Sequence, residues 1–354
     1  MCTPDRGRRS LSLPADVPKD DVSTKTRHTV TITDVARAAQ VSRSTVSRVF
    51  SHPGLFRAET VARVEAVAAG LGYAPNPVAK ALSTGTTAAI GLVVPDIGNP
   101  SFPPLIRAAG VRATASEVAV LIADTEETAE REASALARLV TRTDGIILVS
   151  SRQSDAAILA FARRAPLVLV NRDIPGIPRV LTSTSDGMTQ AVEHLAGLGH
   201  AHIAYLAGPR RSWSNQERLA AVTATCARLG VKLTTLRSGS PTYEDGIGAA
   251  APLVASGASA LIAFDDLMAQ GVMAGLADMD IQVPREMSVI GCDNLLASRT
   301  YPPLTSVQTC FAEAGTLAVD LLLAPADADA RIVTDSELVV RSTTVRPHRT
   351  LSGR

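Results

Sequence analysis

The chain has 354 residues, 46% hydrophobic and 3% aromatic. That length and apolar share exclude a disordered polymer or a small cross-linked scaffold, and leave room for two or three units with buried cores. The formal net charge of +1 is unevenly spread: residues 24–85 carry eight basic and three acidic side chains, whereas residues 86–354 carry 23 basic and 27 acidic ones.

A basic front end on an acidic body is expected of a small nucleic-acid module joined to a larger unit. A chance fluctuation in a short segment has the same look, so charge alone does not decide. Residues 1–28 are polar and rich in Pro, Asp and Arg, with no apolar run. They read as a disordered tail, neither signal peptide nor membrane helix. Cys2, Cys226, Cys292 and Cys310 form no C-x-x-C pair, which fits reduced core residues of a cytoplasmic protein better than disulfides or a zinc site.

Residues 29–74 lack strand alternation and read as three short helices. Thr31 followed by Asp34 is a capping-box pattern, opening a helix through Ala39. Gln40-Val41-Ser42 makes a turn, and Ser42 caps a second helix from Arg43 to about Phe50. Pro53-Gly54 breaks the chain. A third helix carries Val61, Val64, Val67 and Leu71 on one face and stops near Gly70-Leu71-Gly72.

Pro75-Asn76-Pro77 separates this bundle from a short helical stretch, Val78–Ser83, with residues 75–87 forming a hinge helix and linker. The character then changes. Apolar runs at Ala89–Val94, Val118–Ala123, Gly145–Val149, Leu167–Val170, Ile203–Ala207, Ala260–Phe264 and Ser288–Gly291 alternate with helical segments. Continuous apolar strands between helices imply parallel sheets covered on both faces. Periodicity alone does not choose between one barrel and two doubly wound lobes.

The segment Thr31–Phe50 carries the strongest signal. Val35, Ala36, Ala39, Val41, Val46 and Val49 can close a small core between two helices, leaving Arg43, Ser44, Ser47 and Arg48 outward on the second. Such a helix suits the major groove, where arginine pairs with both guanine acceptors. A solvated helix face with idle arginines has the same pattern, and the local reading leaves both open.

The combination Thr-Asp-Val-Ala-x-x-Ala-x-Val-Ser-x-x-Thr-Val-Ser-Arg-Val resembles the N-terminal signature of the LacI/GalR repressor family. It continues in Leu71-Gly72-Tyr73-x-Pro75-Asn76 and Ala79-x-x-Leu82. The resemblance extends from about Thr29 to Pro347. It implies base reading by Arg43, Ser44 and Arg48, and phosphate or register contacts by Thr33, Ser42, Thr45 and Asn76. Thr31, Ser47 and Ala79 complete the DNA-facing set. By the same resemblance Leu82 wedges into the minor groove, accompanied by Lys80. A hinge helix of about eight residues is too short to be stable alone, so it forms only when a partner hinge and DNA pack against it.

For the remainder the resemblance implies a periplasmic-binding-protein-like core, residues 88–347, of two doubly wound parallel α/β lobes with a ligand cleft between them. Its landmarks include Asn99-Pro100-x-Phe102, Asp144-Gly145-Ile146-Ile147, Asp266 and Tyr301-Pro302-Pro303-Leu304-Thr305. Asn171, Asp265 and Asp293 end strands and match ligand-contact positions, as do Phe102, Gln216 and Tyr243, with Trp213 a further stacking surface. Carboxylates and amides converging with aromatic rings suit a sugar or nucleoside. Helix capping by Asp265 or Asp293, and plain packing by Tyr243 and Trp213, are the competing uses. Gln216 stands where many family members place an arginine, with Arg218 two residues later. An amide does not replace a guanidinium, which points to a neutral sugar or polyol rather than a phosphorylated or purine effector.

The six histidines show no metal spacing, and there is no P-loop, nucleophile elbow or G-x-G-x-x-G. The expectation is therefore a regulator without cofactor or enzyme activity. A sugar-binding protein of the transport class shares the core but has no use for residues 29–85. No apolar heptad follows Val339-Val340-Arg341 before the short tail at 348–354, so a homodimer on operator DNA is expected rather than a tetramer.

Overall fold

The computed structural model describes residues 30–74, 85–324 and 327–347. The tails at 1–28 and 348–354, the hinge stretch Val78–Ser83, and Asn76, Ala79, Lys80 and Leu82 lie outside the described residues. The chain divides into two compact units, Met1–Lys80 and Ala81–Arg354, each described by itself.

In the first unit, the Asp34 carboxylate accepts the Thr31 N–H at 2.9 Å and the Thr31 hydroxyl at 2.7 Å, fixing the start of α1 (Ile32–Ala38). Gln40, at φ +55°, turns the chain into α2 (Arg43–Ser51), where the Ser42 hydroxyl accepts the Thr45 N–H at 3.0 Å. A third helix, α3 (Ala58–Leu71), ends where Gly72 turns left-handed at φ +68°. Val35, Ala36, Ala39, Val46, Val49, Val64 and Ala68 make the core. Helices this short are marginal alone and depend on that shared burial.

The second unit holds two six-stranded sheets. The first lobe is built from β1 (Ala89–Val94), α4 (Phe102–Ala115), β2 (Ala119–Asp124), α5 (Ala129–Leu139), β3 (Ile146–Val149), α6 (Asp155–Ala162), β4 (Leu167–Val170) and β5 (Arg179–Thr182). The second lobe contains α7 (Ser185–Leu198), β6 (His202–Ala207), α8 (Trp213–Leu229), β7 (Lys232–Arg237), α9 (Tyr243–Ala255), β8 (Ala260–Ala263), α10 (Asp266–Asp278), β9 (Ser288–Asp293) and β10 (Thr305–Gln308). The chain then returns through α11 (Phe311–Leu323) and β11 (Arg331–Thr334) to the first lobe, and ends the second with β12 (Glu337–Val339).

The strand orders are β11-β5-β4-β3-β1-β2 and β12-β10-β9-β8-β6-β7. Neighbours run parallel except β12, which pairs antiparallel with β10. Two separate open sheets exclude the barrel. The chain crosses between lobes three times, after β5, β10 and β11. Inner strands β1, β3, β4, β8 and β9 are buried along their whole length, as continuous apolar runs require.

One close approach positions the site. An added Cβ on Gly271 would lie 2.0 Å from the Tyr243 carbonyl oxygen, and one on Gly246 would lie 2.4 Å from that of Met268. Glycine at both positions lets α9 and α10 pack backbone to backbone. That seats the N-terminus of α10, with Asp265 and Asp266, at the carboxyl end of the second sheet.

Candidate DNA interface and effector cleft

On α2, Val46 and Val49 are buried, while Arg43, Ser44 and Arg48 are exposed and Ser47 is half-buried. Ser42 Oγ lies 2.7 Å from Ser44 Oγ and 2.8 Å from Thr45 Oγ1. The hydroxyls at the start of the helix are thus tied to one another and to the cap. Thr31 likewise spends its hydroxyl on Asp34, and Thr33 is exposed. Arg37 is paired with Asp34 at 3.6 Å. Such exposed arginines on a rigid helix present planar five-donor forks, the chemistry that reads guanine edges or grips phosphate.

In the second unit, three residues at or just past strand carboxyl ends adopt left-handed backbone: Ser150 (φ +46°), Asn171 (φ +55°) and Asp293 (φ +105°). Non-glycine residues in that region concentrate where a side chain must be aimed. Arg218 is the centre of the cluster. Its guanidinium donates to Asp293 Oδ1 at 3.2 Å, to Thr184 Oγ1 at 3.3 Å and to the Phe264 carbonyl. It also lies 4.7 Å from the centroid of the Phe264 ring. Only 2% of the residue is exposed.

The first lobe closes onto this cluster through the turn after β1. Asn99 Nδ2 donates to Asp265 Oδ2 at 3.3 Å, and the Ser101 hydroxyl donates to Asp293 Oδ2. Asp265 spends its other oxygen capping α10, accepting the Met268 N–H at 2.8 Å. The capping use and the cleft use therefore coexist in one carboxylate. Asp266 accepts from Ser306 Oγ at 2.6 Å and from the Leu295 N–H at 3.1 Å. The void bounded by Asn99, Ser101, Asp266, Gln270 and Asp293 is about 10 Å³, room for a single water at most.

Three buried carboxylates beside one guanidinium are hard to keep ionised together. Burial, reinforced by the Asp293 charge, pushes Asp265 up to about 7 and Asp266 up to about 8. Burial also raises Asp293, with Arg218 opposing. On the first lobe, Asn171 Oδ1 accepts the Thr182 N–H at 2.8 Å and its hydroxyl at 3.0 Å. The Asn171 Nδ2 is buried and has no partner, an unspent donor for a ligand oxygen.

Gln216 is exposed and donates to the Arg210 carbonyl at 3.2 Å, whereas Arg218, two residues on, is the buried guanidinium of the cluster. Tyr243 is 37% exposed and lines an outer groove of about 660 Å³ with Gln270, Met273, Ile281 and Tyr301, because it opens α9 on the side packed against α10. Phe102 is 7% exposed and packs edge-on against Phe311 at 5.9 Å, so its ring belongs to the first lobe's core. Trp213 is half-buried at the first position of α8. Asn99, Ser101, Arg218 and Asp266 were not named as cleft contacts. The spacing of Arg218 to Val222, on the same buried face of α8, was the available signal.

Residues 31–76 match the family described as bacterial regulatory proteins, lacI family, and residues 192–344 match the periplasmic binding protein-like domain. The chain is 33% identical to the transcriptional regulator GalR of Escherichia coli over 309 residues, covering 84% of this chain and 89% of the relative. It is 30% identical to the E. coli repressor CytR over 328 residues, covering 89% and 96%. Among solved structures, a lac repressor dimer bound to operator and the anti-inducer ONPF superposes with a TM-score of 0.79 at 30% identity, covering 89% of this chain and 99% of that one. These matches define a DNA-binding transcriptional regulator with a periplasmic-binding-protein-like core. The chain belongs to the lacI family of bacterial regulatory proteins. Among the described residues, no helix is long and apolar enough to cross a membrane.

Proposed function

We propose that this regulator is a homodimeric repressor whose operator affinity is set by a neutral sugar or related polyol held between its lobes. The observation that carries the reading is the buried Arg218–Asp293–Asp265 cluster of the second lobe, bonded to Asn99 and Ser101 of the first, together with the unpartnered Asn171 Nδ2. Carboxylates accept from hydroxyls, while guanidinium and amide donate to them, so one polyol can satisfy both walls. A lacI-family regulator of Enterococcus faecium with bound ribose, 25% identical with a TM-score of 0.67, binds a ligand of that class.

Asn99 and Ser101 occupy the carboxylate positions a ligand would use. A polyol therefore enters only as those bonds part, and it shifts the lobes toward whichever geometry it fits better. Arg43, Ser44 and Arg48 of each protomer read a half-site, with Thr31, Thr33, Ser42, Thr45 and Ser47 setting register beside them. Asn76, Ala79, Lys80 and Leu82 carry the hinge contacts.

The dimer pairs through the outer face of α4 and the edge strand β2. Val111 is 68% exposed there, Leu121 and Ile122 are exposed beside it, and the adjoining groove of about 760 Å³ is lined by Pro103, Pro104, Ala108 and Val111. Exposed apolar surface on this scale marks an association face. The core acts as a binding module in the cytoplasm, not as an enzyme. A thermal-shift screen of sugars and nucleosides on the purified chain tests the reading. A ligand at about 100 times its Kd stabilises by about 2.7 kcal/mol. Stabilisation by no sugar or polyol, or by nucleosides alone, contradicts it.

A further inference from the structure

The three connections between the lobes are tied to one another, and a single carboxylate fixes them to α8. The first connection follows β5. Glu217 accepts from each of its residues: from the Ser183 hydroxyl, from the Thr184 N–H at 3.1 Å and hydroxyl at 3.3 Å, and from the Ser185 hydroxyl at 3.1 Å. Each carboxylate oxygen is used twice. Just upstream, Asn171 of the first lobe holds Thr182 by its N–H and its hydroxyl. The grip passes from one lobe to the other between Thr182 and Ser183.

The other two connections are drawn in beside it. In the first turn of α7 the Gly187 N–H donates at 3.1 Å to the hydroxyl of Ser336, in the connection after β11. A Cβ on Gly187 would collide with Val307 and meet Ser336 Oγ at 3.1 Å, so glycine is what lets α7 come this close. In the connection after β10, the Cys310 thiol donates weakly to the Asp335 carbonyl at 3.7 Å. Glu217 also stands next to Arg218, the centre of the cleft cluster. The Thr184 hydroxyl joins the two, accepting from Arg218 Nε at 3.3 Å and donating to Glu217. Thr184 is fully buried, so water does not compete for these bonds.

We propose that Glu217 is a positioning residue that fixes the pivot about which the two lobes turn. The inference rests on the reading of a ligand held between the lobes, and names what gives their movement a defined axis. Domain closure needs a few residues to absorb the rotation while the packed bodies stay rigid. With Ser183, Thr184 and Ser185 held on α8, rotation in this connection is confined to the boundary at Thr182–Ser183. Asn171 and Arg218, two groups that a polyol engages on that reading, grip the connection on either side of the boundary. Filling the cleft therefore acts on the pivot directly. Without Glu217 the connection has slack, and the lobes drift among orientations.

The test uses the full chain without ligand, with spin labels carried on p-acetylphenylalanine in place of Ala137 and Ala255, exposed sites on α5 and α9. Labelled chain is diluted into unlabelled chain so that each dimer holds one labelled copy. Double electron–electron resonance then reads the distribution of distances between the lobes. E217A is expected to broaden that distribution about twofold. E217Q, which keeps one accepting oxygen, falls between E217A and the wild type. A merely structural role lowers the melting temperature and leaves the width unchanged, a result that overturns the proposal. If E217A does not fold, S183A combined with S185A removes two of the bonds to Glu217 and broadens the distribution by a smaller factor. An unchanged width there overturns the proposal equally. No ligand enters this measurement, so its failure is distinct from that of the cleft reading, which a thermal-shift screen without a stabilising polyol overturns.

Discussion

Arg218 and Asp293 form a buried ion pair at 3.2 Å, with side chains 2% and 4% exposed. Such a pair contributes little net stability when intact, yet removing one partner leaves an uncompensated buried charge and costs about 3–5 kcal/mol. Arg218→Met should therefore destabilise the core more than Asp293→Asn, because it strands Asp293 beside Asp265 and Asp266, whereas the asparagine keeps a neutral acceptor. Denaturant unfolding of the two variants checks the order. Equal losses would mean that the cluster is solvated.

The same pair separates sensing from DNA reading. Asp293→Ala should spare operator affinity and abolish the response to a ligand found by thermal shift, measured by anisotropy of a labelled duplex. An intact response would remove Asp293 from the cleft.

The sequence disclosed the scaffold better than the cleft. Strands β1, β3, β4, β6, β8 and β9 lie in the sheet interiors, so their apolar runs announced them. The edge strands β7, Lys232–Arg237, and β11, Arg331–Thr334, have mixed burial and no long apolar run, whereas the edge strand β2 has one and was legible from it. The short strands β5 and β10 precede lobe crossings, and each pairs on one side with a strand, β11 or β12, that the chain adds only after later crossings. The strand-end positions of Asn171, Asp265 and Asp293 were legible because the strand ends were. Arg218 was not, since a family register offset by two residues pointed to Gln216, and only packing reveals which of the two faces inward.

Arg48→Ala should relax base preference and cost about 1–3 kcal/mol of operator affinity. Arg48 is exposed at the last turn of α2 and the helix is held from behind by Val46 and Val49, so its removal leaves the fold intact. Competition assays with single-base operator variants check the relaxation. A uniform weakening with unchanged preference would instead assign Arg48 to phosphate.

Val111→Glu tests the dimer face. A two-fold contact is self-complementary, so one substitution places two carboxylates in the same apolar seam. The expected outcome is a shift toward monomer in sedimentation and a loss of at least about tenfold in operator affinity, or roughly 1.4 kcal/mol. Unchanged sedimentation would move the interface elsewhere. Thermal stability of each protomer should hardly change, because the side chain at 111 faces solvent.

The cleft carboxylates also give stability a pH dependence of unusual sign. In the folded chain, burial and then the Asp293 charge raise Asp265 to about 7 and Asp266 to about 8, from an ordinary value of 3.8. Between the unfolded and folded values the folded state keeps protons that the unfolded state has released. Stability therefore falls as pH rises through that window, and the loss is complete once pH passes the folded values. Each group contributes up to about 1 kcal/mol per pH unit inside the window. Asp265→Asn removes one titration and keeps a side chain able to cap α10. Melting temperatures of wild type and Asp265→Asn, followed from about pH 5.5 to about pH 8, should diverge, with the wild type losing ground as pH rises. Parallel curves would show that Asp265 ionises as freely in the folded cleft as in the open chain, and that the lobes do not exclude water from it.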